Sequence, residues 1–483
     1  MQKLSKIPSG IEGFDYISKG GIPLNRTTLI SGTPGSGKTI FCVQFLIGGI
    51  ENANQPGVFV TFEESPQDIV ENMIDFGWDI QKHIDNGLWK FVDISPYVND
   101  DFEIKGDYDL SGLLIRIKST IKKIGAKRVA LDSLAALFNQ FPDSSIVRKE
   151  ILRLKTCLKS LSVTSLITSE YYEDYPKYHQ FEIVDFVSDN LIILKNSPSR
   201  EYRRRTIEIL KYRGSDHRKG QHSFTIRADR GIVIISFERQ LDPLNINTKR
   251  VSSGLEDLDE ILGGGLFQGS TTLISGQTGT GKTLLLLSML NGLLQKGEKC
   301  IMFNFEESRE QILKKALLWN IDLEKAERGD QFRLYNIYPE SQEIEDLIID
   351  VKTKLKEFSP NRVFIDSISA LERITTEITY RESLINMLLY FREMNIIGFL
   401  TSTSPAVEFT LLNSQEHIST LSDAIILLRY FERDGKIGRA LAIMKIRDSD
   451  HSKYFLEYKI SDNGVSILSP IKQNMGIFKT LNV

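Results

Sequence analysis

Two octapeptides in this 483-residue chain are spelled to hold a polyphosphate. Gly32-Thr33-Pro34-Gly35-Ser36-Gly37-Lys38-Thr39 and Gly276-Gln277-Thr278-Gly279-Thr280-Gly281-Lys282-Thr283 both read G-x-x-x-x-G-K-[ST]. Glycines let the backbone wrap tightly and turn several N–H donors toward one anion, at a helix N-terminus whose dipole favours negative charge. Lys38 and Lys282 then reach the β- and γ-phosphates, and the hydroxyls of Thr39 and Thr283 ligate Mg²⁺. Asp132 and Asp366 close the runs Arg128–Asp132 and Arg362–Asp366. A carboxylate there sits at the carboxyl edge of a sheet, where it organises Mg²⁺ and its waters. Glu63-Glu64 and Glu306-Glu307 follow two further apolar runs, and such a carboxylate can orient or deprotonate an attacking water or hydroxyl. ATP with Mg²⁺ is the ligand these residues predict.

The elements that position them recur in the same order. Thr27–Ser31 and Thr271–Ser275 read as short strands entering each loop, and Ile40–Ile50 and Leu284–Leu294 as apolar helices leaving it. Ser9-Gly10-Ile11-Glu12-Gly13-Phe14-Asp15 matches Ser253-Gly254-Leu255-Glu256-Asp257-Leu258-Asp259, well ahead of the loops. Val58–Ser65 pairs with Ile301–Ser308, Arg128–Leu134 with Arg362–Ile368, and Lys211–His217 with Lys445–His451. A period this long means two copies of one domain rather than the three that a prior of about 150 residues per domain suggests. Strands alternating with helix-length segments predict an α/β unit around a mostly parallel sheet in each copy. The expected division is 1–239, a polar junction at 240–249 interrupted by Pro243, then 250–468 and a short tail at 469–483.

Lys211 with Arg213, and Lys445 with Arg447, form K-x-R pairs whose side chains would share one face of a strand. They lie far along the chain from their own loops. A cation near the γ-phosphate stabilises developing charge, which suggests supply across a subunit interface. Arg200 and Arg203–Arg205 read as a solvated or interface patch. One segment breaks the repeat. In the register set by Ser188-Asp189 and Ser422-Asp423, Ser419 faces Asp185 and Thr420 faces Phe186, so adjacent hydroxyls exist only in the second copy. Adjacent Ser and Thr are most often helix caps or turn formers; beside a nucleotide site they can instead be phosphorylated in place, each phosphate adding about −1.5 to −2 charge.

Composition narrows the class. Hydrophobic residues make up 41% and charged residues 25%, enough apolar material for a core in each copy. The net charge of −3 offers nucleic acid no general attraction. Cys42, Cys157 and Cys300 are isolated, so no zinc or disulfide framework is expected. No apolar run suggests a signal segment or a membrane span, and a cytoplasmic protein is expected.

With these strings the chain resembles the KaiC family of clock proteins, tandem ATPases of the RecA superfamily, from about Leu4 to Gly464. The resemblance rests on the two phosphate loops, both F-E-E-S segments, D-S-L and D-S-I, K-Y-R-G-S-D-H, and His417-Ile418-Ser419-Thr420. It implies two RecA-like domains stacked as the rings of a homohexamer, with ATP between neighbouring subunits. The N-terminal ring would be a slow ATPase, the C-terminal ring a Ser/Thr autokinase and autophosphatase. Carried over, Glu63 and Glu64 resemble the hydrolytic carboxylates, Glu306 the general base with Glu307 beside it, and Ser419 and Thr420 the phosphorylation sites. Lys211, Arg213, Lys445 and Arg447 match residues that reach the adjacent subunit's nucleotide.

Two departures stand out. Asp448 replaces the glycine found at Gly214, which bears on the geometry of the second K-x-R segment. After Ile460 the tail is short, whereas cyanobacterial members carry a longer segment that engages KaiA. A KaiA-independent relative partnered by a KaiB-like protein on the N-terminal ring is therefore expected. Two other readings stay open: a RecA- or RadA-like DNA-dependent ATPase, and a nucleotide-gated hexameric scaffold without kinase activity. RadA-type chains carry an N-terminal four-cysteine zinc motif that has no counterpart here, and a DNA motor needs a basic groove. Stimulation by single-stranded DNA would favour the motor, and ATP-dependent assembly without turnover the scaffold.

Overall fold

The computed structural model describes residues 4–94, 110–134, 144–171, 188–199, 202–235, 249–403, 421–433, 435–461 and 464–471. Contacts divide the chain into two compact units, Met1–Arg239 and Gln240–Val483.

The first unit is built around the strand Thr27–Gly32, every residue of which is buried. Two Thr, Leu and Ile in sequence suit a strand covered on both faces, as parallel sheets require. Its neighbours Thr164–Glu170 and Asn190–Ser199 both run parallel to it. The nine-stranded sheet has the order Trp89–Asp93, Gly57–Thr61, Arg128–Asp132, Thr164–Glu170, Thr27–Gly32, Asn190–Ser199, Tyr202–Tyr212, Gln221–Arg227, Gly231–Ile234. Pairing is parallel through Asn190–Ser199 and antiparallel for the last three strands. Helix Lys38–Ala53 packs Phe41, Phe45 and Leu46 among Phe14, Phe59 and Trp89 on one face. Helices Ser111–Ile124 and Ser144–Ser160 cover the other, with Ile117, Ile121, Leu154 and Leu158 against Leu29, Val58 and Val60.

The second unit repeats this plan. Its sheet runs Phe332–Asn336, Cys300–Asn304, Arg362–Asp366, Ile397–Ser402, Thr271–Gly276, Ala424–Arg433, Lys436–Ile446, Leu456–Ser461, Gly464–Pro470. Helix Lys282–Gln295 buries Leu285, Leu286, Met289 and Leu290 on one face, and Val351, Leu355, Leu384 and Met387 come from helices Ile344–Phe358 and Glu377–Glu393 on the other. Both loop helices start at the motif lysine, earlier than their apolar runs, because Gly37 (φ 88°) and Gly281 (φ 96°) turn the chain through the left-handed region immediately before.

The expected α/β architecture around one mostly parallel sheet is what each unit shows. The polar junction falls mainly on residues outside those described, as do Arg200, His417–Thr420 and most of the tail. Among the described residues no helix is long and apolar enough to cross a membrane.

Candidate functional site

Each phosphate loop leaves the carboxyl end of the sheet's central strand and enters a helix, so its N–H groups gather at one helix N-terminus. Glycine is required on both sides of the turn. Gly35 and Gly279 have φ of 70° and 83°. A Cβ on Gly276 would approach the Leu428 carbonyl oxygen to 2.5 Å, and one on Gly279 the Tyr430 hydroxyl to 2.7 Å. Lys38 Nζ donates to the carbonyls of Gly32 (2.9 Å) and Thr33 (3.3 Å), and Lys282 Nζ to those of Gly276 (2.8 Å) and Gln277 (3.0 Å). Both ammonium groups are thus folded over the loop at the mouth a polyphosphate enters. Burial lowers the pKa of each, opposed by Asp132, Glu170 and Glu63 around Lys38 and by Asp366 and Glu306 around Lys282.

The predicted Mg²⁺ pair is in contact in both units. Thr39 Oγ1 donates to Asp132 Oδ2 at 2.6 Å, and Thr283 Oγ1 to Asp366 Oδ2 at 2.6 Å. The other carboxylate oxygen accepts a hydrogen bond from Thr168 in the first unit and Thr401 in the second. Burial raises the pKa of both aspartates, while these hydroxyls pull the other way. No group of three or more His, Cys, Asp or Glu forms a ready cage among the described residues. One carboxylate and one hydroxyl fit Mg²⁺, which keeps several waters and takes further oxygens from phosphates. Sequence reading missed Thr168 and Thr401. Thr168-Ser169 and Thr401-Ser402 hold equivalent places in the two copies, but only the strand order sets these threonines beside the aspartates.

The glutamates follow the strands Gly57–Thr61 and Cys300–Asn304, next to the aspartate-bearing strands. Glu63 Oε1 accepts from Ser133 Oγ at 2.7 Å, and Glu306 Oε1 from Ser367 Oγ at 3.0 Å, the serine in each case following the aspartate. The peptide between that aspartate and serine is cis in both units. The units differ around the second glutamate. Asn72 donates to Glu64 Oε2 at 3.2 Å, whereas Lys315 grips both oxygens of Glu307 at 2.6 and 2.5 Å. Asn304 Oδ1 accepts from the backbone N–H groups of Glu306 and Glu307, each at 2.9 Å. Arg373 lies 3.6 Å from Glu306. Burial raises the pKa of Glu64, with Asp132 adding to the effect.

The K-x-R pairs are not near their own phosphate loops. Leu29 pairs with Leu191 and Leu191 with Lys211, while the loop starts at Gly32, level with Leu194. Lys211 therefore sits about three residues, or about 10 Å, back from the loop toward the opposite edge of the sheet. Lys445 is placed equivalently through Ile425 and Leu273, with Gly276 level with Leu428. The strands end at Tyr212 and Ile446, so Arg213 and Arg447 lie one residue past them and do not share the expected strand face with Lys211 and Lys445. A bulge between Leu191 and Ile192, and another between Ile425 and Ile426, shifts the register just there. Lys211 Nζ donates to the Ser188 carbonyl and Lys445 Nζ to that of Ser422, while Arg447 reaches Asp423 at 3.4 Å. Asp448 takes the same left-handed turn as Gly214, with φ of 58° against 75°. Aspartate tolerates that region better than most residues, so the exchange preserves the turn.

Ser419 and Thr420 lie outside the described residues.

Comparison with known proteins fits this geometry. The sequence pattern of the family described as "ATPase: KaiC" matches residues 7–239 and again 251–472. The circadian clock protein KaiC3 of Synechocystis sp. is 43% identical over 478 residues, covering 98% of this chain and 94% of its own length. The circadian clock oscillator protein KaiC of Thermosynechococcus vestitus is 44% identical over 475 residues, covering 98% and 91%. Its namesake in Acaryochloris marina is 42% identical over 475 residues, with the same coverage.

Proposed function

This chain belongs to the KaiC family of ATPases, with two tandem ATPase domains, and on that premise we propose that the two domains divide the work of a phosphorylation timer. The N-terminal domain hydrolyses ATP slowly. The C-terminal domain transfers the γ-phosphoryl group to Ser419 and Thr420 and later removes it. The observation that carries this reading is a convergence repeated in each unit: a lysine, a threonine–aspartate pair and a serine-held glutamate meet at one sheet edge.

The roles follow from chemistry. Gly32–Thr39 and Gly276–Thr283 bind the triphosphate through backbone donors, and Lys38 and Lys282 move from loop carbonyls onto phosphate oxygens. Thr39 with Asp132, and Thr283 with Asp366, would hold Mg²⁺, whose charge offsets that of the β- and γ-phosphates. Glu63 accepts a proton from the attacking water, with Glu64 beside it. Glu306 accepts the proton of the Ser419 or Thr420 hydroxyl as the Oγ–P bond forms and the bond to the departing ADP breaks, with Glu307 beside it. The distance of Lys211, Arg213, Lys445 and Arg447 from their own loops supports delivery of these cations to a neighbouring copy's nucleotide. Likeness to the KaiC family supports a homohexamer, with a KaiB-like protein as the expected partner of the N-terminal domains.

A scaffold that binds ATP without turnover is the competing reading. Phosphate release by the wild type and by the double variant Glu63→Gln, Glu64→Gln separates them: the scaffold reading requires no release from either protein.

A further inference from the structure

An antiparallel strand passes behind each phosphate loop, Gln221–Arg227 in the first unit and Leu456–Ser461 in the second. Each sets an isoleucine against the last glycine of the motif. A Cβ on Gly37 would meet Ile226 Cδ1 at 2.8 Å, and one on Gly281 would meet Ile460 Cδ1 at 2.7 Å. Two residues earlier, on the same face of the strand, the units differ by one oxygen atom. The first carries Phe224 and the second Tyr458, both buried.

That oxygen is used. The Tyr458 hydroxyl donates to the main-chain carbonyl of Thr280, inside the phosphate loop. Burial raises its pKa, so it remains a donor. Phe224 has no hydroxyl to offer. The loops differ in the same sense internally: Thr280 Oγ1 donates to the Gln277 carbonyl at 2.7 Å, while the buried Ser36 hydroxyl has no hydrogen-bond partner among the described residues.

A peptide unit is planar, with its C=O and N–H pointing in opposite directions. A Thr280 carbonyl held by Tyr458 therefore turns the Gly281 N–H away from the backing strand and toward the open side of the loop. We propose that Tyr458 is a positioning residue of the second nucleotide site: it anchors the Thr280–Gly281 peptide so that the Gly281 N–H is aimed at the bound polyphosphate. Phe224 leaves the equivalent Ser36–Gly37 peptide without this anchor. The inference rests on reading the two octapeptides as nucleotide sites.

Full-length protein carrying Lys38→Ala reports binding at the second site, by competition against a fluorescent ATP analogue. Adding Tyr458→Phe is expected to weaken ATP and ADP together by about five- to tenfold, one hydrogen bond's contribution, and to leave adenosine unchanged. Phenylalanine already occupies this place in the first unit, so the variant should fold. The reciprocal Phe224→Tyr in a Lys282→Ala background should tighten ATP several-fold at the first site. Unchanged ATP affinity in Tyr458→Phe, or an equal loss for adenosine, would overturn the proposal. Adding Lys282→Ala to the Lys38→Ala protein separates the two levels: if ATP binding at the second site stays intact, the nucleotide-site reading itself fails.

Discussion

Thr283 donates its hydroxyl to Oδ2 of Asp366 at 2.6 Å, and Thr39 does the same to Asp132 at 2.6 Å. The Asp366 carboxylate sits in a buried position with a raised pKa. A carboxylate whose folded pKa exceeds its unfolded value, about 3.9, contributes stability that is present below that value. The contribution is lost as pH rises through the folded pKa. Nucleotide-free wild type should therefore lose thermal stability relative to Asp366→Asn as pH rises from about 4 toward neutrality. Thermal unfolding of both proteins in a metal chelator checks this, and a difference independent of pH would count against the buried charge. With Mg-ATP added the order should reverse, because the variant lacks the ionised ligand.

Removing a general base typically costs about 10²–10⁴ in rate. Glu63→Gln with Glu64→Gln should lower hydrolysis by the N-terminal domain by that factor. ATP affinity should change little, since the side-chain donor to Glu63 is Ser133 rather than the phosphate loop. Phosphate release measured in a Lys282→Ala background isolates the domain, and undiminished release would remove these residues from the mechanism.

If Lys445 and Arg447 serve a neighbour, an inactive Lys445→Ala chain and an inactive Lys282→Ala chain should recover activity when mixed. Each brings the part that the other lacks. Arginine-finger contributions run to about 10³–10⁵ in rate, so recovery should be conspicuous against either protein alone. Activity no greater than the average of the separate proteins would mean that the cations act within their own chain.

Gly281→Ala should weaken ATP binding and destabilise the fold by about 1–2 kcal/mol. It strains a left-handed residue and drives a methyl group into Ile460. Gly297→Ala is the matched control: its φ is 78°, but a Cβ there meets nothing within 4 Å. That variant should show the strain cost alone and bind ATP normally, as titration and thermal unfolding together would register.

Local spelling carried much of this site. The phosphate loops, the strand-ending aspartates and the paired glutamates each depend on residues adjacent in sequence, and the repeat tied them into one order. The partners of those groups were not legible. Thr168 reaches Asp132 and Tyr458 reaches Thr280 only because strands distant in sequence are brought together, and Lys315 reaches Glu307 only through the fold of the turn and helix that follow it. The K-x-R pairs show the limit from the other side. Alternation suggested one strand face for Lys211 and Arg213, yet the strand stops between them and a bulge resets the register nearby. Bulges follow from packing across the sheet, which no single strand's sequence records.

The most direct test of the account is phosphosite mapping by mass spectrometry after incubating the purified protein with Mg-ATP, beside a Glu306→Gln control. Phosphate on Ser419 and Thr420 that is lost in the control is the predicted result, joining the autokinase to its base. Continued ATP hydrolysis with neither residue phosphorylated would contradict it and leave a two-domain ATPase without kinase activity.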